Sequence, residues 1–149
     1  MATTGQMSGA FGKIEIRTPS GTGSFTDISG SSQAVEVATV TRKSGMAFPL
    51  DSDTPAVTYG KQEGAEVTFM VIYTDVVAEA YQTALTTFEA AGGATLDVKW
   101  TPGGSTAGAD TYTITGRITS IDYPGFNGDS GDPIMCNFTV TGSHVVHTV

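Results

Sequence analysis

Alternation of apolar and polar residues predicts short strands near both ends of the chain. Over residues 12–18, Ile14 and Ile16 fall on one face and Glu15 and Arg17 on the other, which is the pattern of a half-buried strand. Residues 25–30 predict a short strand or an edge, and residues 33–43 alternate again. Three more strand-like runs follow at 95–101, 111–123 and 133–143, separated by turns rich in Gly, Asp and Asn.

Two segments in the middle of the chain carry a different pattern. Residues 66–74 are apolar at nearly every position, which predicts a central strand covered on both faces. Residues 75–91 predict one α-helix, with Thr74 or Asp75 capping its first amides and Gly92-Gly93 ending it. Apolar residues at three- and four-residue steps form its stripe: Val77, Ala80, Tyr81, Ala84, Leu85 and Phe88.

The pattern lapses over residues 42–66, where we expect a long irregular loop. The central part, residues 44–64, contains two prolines and three glycines. A loop of this length inside a compact domain is more often functional, or ordered by a partner, than idle. Met46, Phe48 and Leu50 make it more apolar than a solvated loop requires.

Together these elements predict a mainly β protein of about seven antiparallel strands. We expect a β-sandwich or barrel with one flanking α-helix, built as a single domain over residues 1–149. Residues 1–11 are expected to form a flexible N-terminal arm. Residues 143–149 are expected to form a C-terminal arm or a last strand.

Charge and cysteine content narrow the range of possible functions. With 7 basic and 15 acidic residues the formal net charge is −8, which argues against binding nucleic acid through its phosphates. The lone Cys136 excludes an intramolecular disulfide and alternates with apolar residues, so we expect it in the core. No run resembles a signal peptide or a membrane span, so we expect synthesis in a cytoplasm and no membrane insertion.

One motif resembles a catalytic sequence. Residues 128–133 read GDSGDP, one letter away from the GDSGGP around the nucleophile of chymotrypsin-like proteases. In those enzymes the histidine precedes the serine, whereas His144 and His147 follow Ser130. Asp132 would also place negative charge where an oxyanion needs donors. We therefore interpret Ser130 as a turn residue.

The remaining candidate sites are equally weak. Asp122, Asn127, Asp129 and Asp132 offer hard oxygen ligands for calcium, but they fit no EF-hand spacing and are also common in turns. The two histidines have no cysteine or carboxylate at zinc-ligand spacing. We expect no enzymatic activity, no metal and no cofactor.

Taken in order and at their spacing, four phrases resemble the major tail tube protein of long-tailed bacteriophages, over about residues 12–143. They are FTDISG at 25–30, LDVKWTP at 96–102, ITSIDY at 118–123, and GDPI at 131–134 leading to FTVTGS at 138–143. The resemblance implies a β-sandwich with a flanking helix. It also implies six copies in a ring, joined through their sheet edges, and rings stacked into a tube. Related folds serve contractile tails and the haemolysin-coregulated protein of type VI secretion.

The resemblance implies a structural role in the virion tail, assembled in the host cytoplasm. The partners would be further copies of this chain, the tape measure, the tail terminator and the baseplate, with DNA passing through unbound. An acidic lumen would repel that DNA, and the candidates to line it are Glu15, Glu36, Asp97 and Asp122. Candidates for contacts between subunits or stacked rings are Met46, Phe48, Leu50, Tyr59, Val145 and Val146.

Other classes of protein share these patterns. One is a monomeric immunoglobulin-like binding or adhesin module. Another is a different virion part, either a tail terminator or a capsid decoration protein. Self-assembly separates them, because a tube protein makes rings or filaments, a terminator stops at one ring, and a binding module stays monomeric.

Overall fold

The computed structural model describes residues 9–104 and 108–149, which form nine strands, one α-helix and two short 3₁₀ helices. The mainly β prediction with one helix is confirmed. The 3₁₀ helices are Gly9–Phe11 and Ser29–Ser31, and the α-helix is α1 (Ala80–Glu89). The strands are β1 (Lys13–Arg17), β2 (Thr26–Asp27), β3 (Ser32–Val35), β4 (Arg42–Ala47), β5 (Ala56–Gln62), β6 (Ala65–Ile72), β7 (Leu96–Thr101), β8 (Thr111–Ile121) and β9 (Met135–Thr148).

Seven strands form one antiparallel sheet in the order β2-β1-β7-β8-β9-β6-β3, and β4 and β5 pair separately. The large sheet curls into half a barrel. The backbone of Ile14 in β1 holds this curl, because its N–H donates to Ser29 Oγ (2.9 Å) and its carbonyl accepts from the Ile28 N–H (3.0 Å). Residues 28–31 lead directly into β3, so these bonds bring the far edge of the sheet back to β1.

The core lies inside the curl. The predicted alternation of β1 holds, since Ile14 and Ile16 are buried. Across the interior, the ring of Phe69 stacks on that of Phe138 (centroids 5.2 Å apart) and meets Trp100 edge-on (5.9 Å). Strand β6 is not covered on both faces as predicted, because its burial alternates: residues 65, 67, 69 and 71 are buried, and residues 66, 68, 70 and 72 are not.

The helix is shorter than the predicted 75–91. Val77 lies in the preceding turn and is 83% exposed, so it does not belong to the apolar stripe. Neither Thr74 nor Asp75 caps the helix; instead the Ala80 N–H donates to Ser31 Oγ (3.1 Å). The helix packs against β6 and β8. Buried Tyr81 fixes it there, because its hydroxyl donates to the carbonyl of Asp122 (3.0 Å).

The predicted loop over residues 42–66 is wrong, because this segment is the β4–β5 hairpin followed by the start of β6. Its register places Gly45 opposite Thr58 and Ala47 opposite Ala56. Every residue from 41 to 64 is exposed. A strand with no buried face has no reason to alternate, so the hydrophobic pattern could not reveal it.

The two predicted arms have different outcomes. Residues 143–148 continue β9 and pair with β8, so they form a strand and not an arm. Of the predicted N-terminal arm, residues 1–8 lie outside the described residues, and residues 9–11 form a 3₁₀ helix.

Asp97 in β7 is the most heavily bonded carboxylate of the sheet. Its side chain is 3% exposed and accepts from Arg17 Nε (2.8 Å), Ser20 Oγ (2.8 Å) and the Gly21 N–H (2.9 Å), besides the Thr115 hydroxyl. Burial would raise the pKa of Asp97, but the bonds from Thr115, Gly21, Ser20 and Arg17 outweigh it and lower the pKa to about 2. The network ties the turn after β1 onto the sheet.

We expect Asp97→Asn to lower the free energy of unfolding by about 2–3 kcal/mol. The loss should be below that of a fully buried pair, because the Arg17 side chain is 25% exposed. The folded-state pKa lies below the ordinary 3.8, so this stability is present above pH 4 and is lost as the pH falls toward 2. Urea unfolding at pH 7 and pH 3 measures both effects. The control substitution Asp53→Asn, on the exposed hairpin, should leave the free energy of unfolding unchanged at both pH values.

Two glycines allow the backbones of β8 and β9 to approach closely at the point where the register of the two strands shifts. A Cβ at Gly116 would collide with the Thr141 carbonyl, and one at Gly142 would collide with the Thr115 carbonyl. Because both obstacles are backbone atoms, neither can move aside without breaking the pairing of the two strands.

Gly142→Ala should therefore lower the free energy of unfolding by roughly 1–3 kcal/mol, the usual cost of overpacking. Gly125→Ala is the matched control, because a Cβ there meets nothing within 4 Å. Thermal unfolding of the two variants beside the unmodified protein gives the comparison. Equal melting temperatures would show that the strands can separate at this point without cost.

Candidate assembly surfaces

The most exposed apolar surface is the projecting hairpin, residues 41–64. Five apolar side chains extend from it: Met46 (61% exposed), Phe48 (73%), Leu50 (fully exposed), Val57 (43%) and Tyr59 (79%). Four of them were predicted as contact residues, and the structure brings them together on one hairpin. Several exposed large apolar side chains on one short segment are typical of an interaction site.

The projecting hairpin is held by its own bonds. At its base, Thr41 Oγ1 donates to Glu63 (2.6 Å), the Glu63 N–H donates to the Thr41 carbonyl (2.8 Å), and Arg42 donates to the Gly60 carbonyl (3.2 Å). A two-stranded hairpin is marginally stable at best in water. Packing against another surface would therefore order it.

The outer side of the large sheet forms a second surface, the polar face. Threonines meet across neighbouring strands, with Thr68 and Thr139 hydroxyls 2.9 Å apart and those of Thr119 and Thr141 2.8 Å apart. The polar face consists of Lys13, Glu15, Arg17, Glu66, Thr68, Asp97, Lys99, Thr113, Thr115, Arg117, Thr119, Thr139 and Thr141.

The four predicted lumen acids do not form one group. Asp97 lies on the polar face, but its side chain is buried beneath four donors, and its place in the lining of a lumen stays a prediction. Glu15 lies between Lys99 Nζ (2.9 Å) and Lys13 Nζ (3.0 Å). Burial would raise the pKa of Glu15, but the two lysines outweigh it and lower that pKa. Glu36 and Asp122 are exposed elsewhere.

A third surface is the free edge of β9 beyond Gly142. Strand β6 pairs with β9 only as far as the pair Ala65–Gly142, and in the described part of the chain no strand lies on that side of residues 143–148. Val145 is half-buried opposite Ile114, and Val146 is 45% exposed. Both predicted contact residues thus lie beside an unpaired edge, which is where another chain can add a strand.

A fourth feature is a cavity of about 340 Å³, the seam pocket, between β3 and the ends of β1 and β7. Its lining includes Trp100, Ile14, Ala34, Val35 and Ala38, with Lys13, Glu36 and Val37 also at the opening. No sequence pattern predicted this pocket, because it depends on the curl of the sheet. The alternation predicted for residues 33–43 stops early, because β3 ends at Val35 and Val37 is 94% exposed.

The loop around Ser130 has the bonds of a turn. Ser130 Oγ accepts from the Asp132 N–H (3.2 Å), and Asn127 Oδ1 accepts from the Asp129 N–H (3.0 Å). Within residues 9–104 and 108–149, no group of three His, Cys, Asp or Glu is placed to hold a metal ion. Cys136 is buried in the core as predicted.

The structure does not bring Ser130 together with a histidine. His147 Nε2 lies 3.2 Å from Asp110, and His144 Nδ1 lies 2.9 Å from the Ser143 hydroxyl. Both histidines occupy the far half of β9, whereas Ser130 precedes its first residue. The interpretation of residues 128–133 as a turn agrees with this arrangement.

No protein-family model matches this chain, and no curated protein matches its sequence significantly. Solved structures do match it. A sheath/tube terminator of PVC, an extracellular contractile injection system, has a TM-score of 0.76 at 12% identity, over 99% of this chain and 100% of that one. The tube terminating cap of the anti-feeding prophage has 0.71 at 8%, over 100% and 95%. The SPP1 tail tube has 0.69 at 12%, over 96% and 79%.

The chain therefore has the fold of tail tube and tube terminator proteins, and the predicted likeness of fold is confirmed. Those neighbours are components of tails and injection systems. As for membranes, the described residues include no helix long and apolar enough to cross one.

We expect trypsin to cut the protein first in the projecting hairpin. Arg42, Lys43 and Lys61 lie on its exposed strands, whereas Lys13 and Lys99 belong to paired strands of the large sheet. Limited digestion followed by mass spectrometry should release a fragment of residues 44–61 before any cut in the sheet. Equal rates at Lys99 and Lys61 would show that the hairpin is as well protected as the sheet.

Proposed function

We propose that this chain is a structural tail protein whose copies form rings that stack into a hollow tube. The observation that carries this proposal is the projecting hairpin, in which 24 consecutive residues, 41–64, are exposed and five of the exposed side chains are large and apolar. On a fold shared with tail tube and tube terminator proteins, such a hairpin provides a contact between copies. A ring of six is the stoichiometry we propose.

Stacking and ring closure use different surfaces in this proposal. The hairpin residues Met46, Phe48, Leu50 and Tyr59 contact a neighbouring copy. The free edge of β9, with Val145 and Val146, pairs with the sheet of the next subunit in the ring. Pairing would extend the sheet and remove the exposed edge that otherwise invites aggregation.

The polar face suits the wall of a DNA conduit, although not through an acidic cluster. Its four basic residues all have partners: Lys13 and Lys99 bind Glu15, Arg17 binds Asp97, and Arg117 donates to the Gly92 carbonyl (2.9 Å). The three acids of the polar face, Glu15, Glu66 and Asp97, offset three of these four positive charges, so about one unit of positive charge remains there to attract phosphates. The net charge of −8 adds a repulsive background, to which we propose that Glu36 and Asp122 contribute.

The proposed partners and location follow from the role of a tail tube. DNA passes through the lumen without specific binding, and the tape measure, the tail terminator and the baseplate are the other partners. Assembly takes place in the host cytoplasm, and the final location is the virion tail. No catalytic step is part of this proposal.

A tube terminator is the second candidate, because the PVC sheath/tube terminator matches with a TM-score of 0.76 over nearly the whole of both chains. A terminator would form one ring and stop. The monomeric binding module would show no assembly at all.

Negative-stain electron microscopy over a concentration series, after light scattering, separates these proposals. Stacked rings or hollow tubes support a tube protein, single rings support a terminator, and a monomer of 15.4 kDa at every concentration contradicts both.

In the assembling protein, Phe48→Ala and Leu50→Ala should weaken assembly without lowering stability. An apolar anchor at the centre of an interface is worth about 2 kcal/mol or more, which corresponds to roughly a thirtyfold rise in the concentration needed for assembly. Light scattering against concentration measures this shift. Thermal unfolding should be unchanged, because both side chains are exposed in the single chain.

Val77→Ala is the matched control, since Val77 is also a large apolar residue, 83% exposed, but lies in the turn before α1. It should assemble like the unmodified protein. If Val77→Ala weakens assembly as much as Phe48→Ala does, general surface hydrophobicity and not the hairpin drives association.

A further inference from the structure

We propose that the seam pocket is the receptor for the hairpin tip of a neighbouring copy. This inference rests on the proposed function, because it names the surface that the projecting hairpin contacts in an assembly. The occupant is a second copy of this chain, with Phe48 and Leu50 as the inserted side chains.

The size and lining of the pocket fit this occupant. A dry apolar cavity of about 150 Å³ holds a benzene molecule, so 340 Å³ has room for the ring of Phe48 and for Leu50. The ring of Trp100 and the side chains of Val35 and Ala38 offer apolar contact. Trp100 and Val35 are only half-buried in the single chain, so each can gain contacts on docking.

The tip of the same chain does not fill the pocket. Phe48 is 73% exposed and Leu50 is fully exposed, so neither lies in a cavity of its own subunit. The tip is therefore an exposed apolar projection, and the pocket is an unfilled recess on the same molecule, lined by both apolar and polar residues. Complementary features at different places on one chain produce head-to-tail contacts that propagate from copy to copy.

Charge at the pocket opening matches charge on the hairpin. The opening carries one base, Lys13, and one acid, Glu36. The hairpin carries acids just after its tip, Asp51 and Asp53, and bases on its strands: Arg42, Lys43 and Lys61. Asp51 and Asp53, just after the tip, can approach Lys13, which already binds Glu15 (3.0 Å), and Glu36 is exposed, so insertion of the tip need not leave a buried charge unpaired.

Docking would also complete the half-barrel. Residues 28–31 close one part of the seam through Ile14, whereas the pocket keeps the rest open beside β3. An inserted tip would fill this opening. Since a partner that binds only the folded state stabilises it, assembled copies should melt at a higher temperature than single copies.

Thiol crosslinking between two differently tagged copies tests the contact. One copy carries Leu50→Cys and the other Ala34→Cys, which lines the pocket and is half-buried. After co-assembly, a short bismaleimide should join the two tags in one band. The native Cys136 is buried and burial raises the pKa of its thiol, so the unmodified protein should give no such band.

The control pair is Leu50→Cys with Thr119→Cys, which is exposed on the polar face. The yield with Ala34→Cys should exceed the control by roughly tenfold or more, as expected if the tip spends most of its time in the pocket. Assembly with equal yields in the two pairs overturns the pocket while the tube proposal stands. Absence of assembly contradicts both proposals.

Trp100 gives an independent signal, because it is the single tryptophan of the chain and lines the pocket. Assembly should shift its emission to shorter wavelength and protect it from acrylamide quenching. The Phe48→Ala, Leu50→Ala double variant, at a concentration where it still assembles, should lose this protection. Assembly that leaves quenching of Trp100 unchanged would exclude the pocket as the receptor.

Discussion

The two backbone bonds at Ile14 determine the shape of the molecule, because they bring residues 28–31, and with them β3, back to β1. With the sheet curled in this way, one face encloses Phe69, Phe138 and Trp100, and the other face remains outside and polar. The same curl leaves the seam pocket, because the short connection closes only part of the distance between the two edges. Core, polar face and pocket are therefore consequences of one closure.

Sequence patterns predicted the elements that have one buried face. Strand β1 and the stripe of α1 from Ala80 onward were found because burial imposes a period of two or of about 3.6 residues. The projecting hairpin was missed because neither of its faces is buried, so nothing selects alternation. The burial of Asp97 was not predicted for a related reason: an acid in a strand usually faces water, and the four donors that hold it come from distant parts of the chain.

In the proposed tube, pairing of charges within the polar face would reduce the need for an acidic lining of the lumen. An acidic cluster is not needed if each base already has a partner, because the attraction to phosphate is then cancelled where it would arise. Glu15 bridges Lys13 and Lys99, and Asp97 holds Arg17, so two acids offset two of these three positive charges. The threonine hydroxyls between them bond to one another across strands and leave a polar surface of low charge.

The isolation of the projecting hairpin has a consequence for the control of assembly. In the proposed assembly, docking would order a hairpin that its own domain does not support, and that entropy cost would lower the affinity of a single contact. Several contacts made together, as in a ring presented to a ring, recover the loss through effective concentration. A single hairpin tip such as Phe48 would thus bind one pocket weakly, and a preformed ring would bind the next strongly. Growth on an existing ring would then be favoured over association of free subunits.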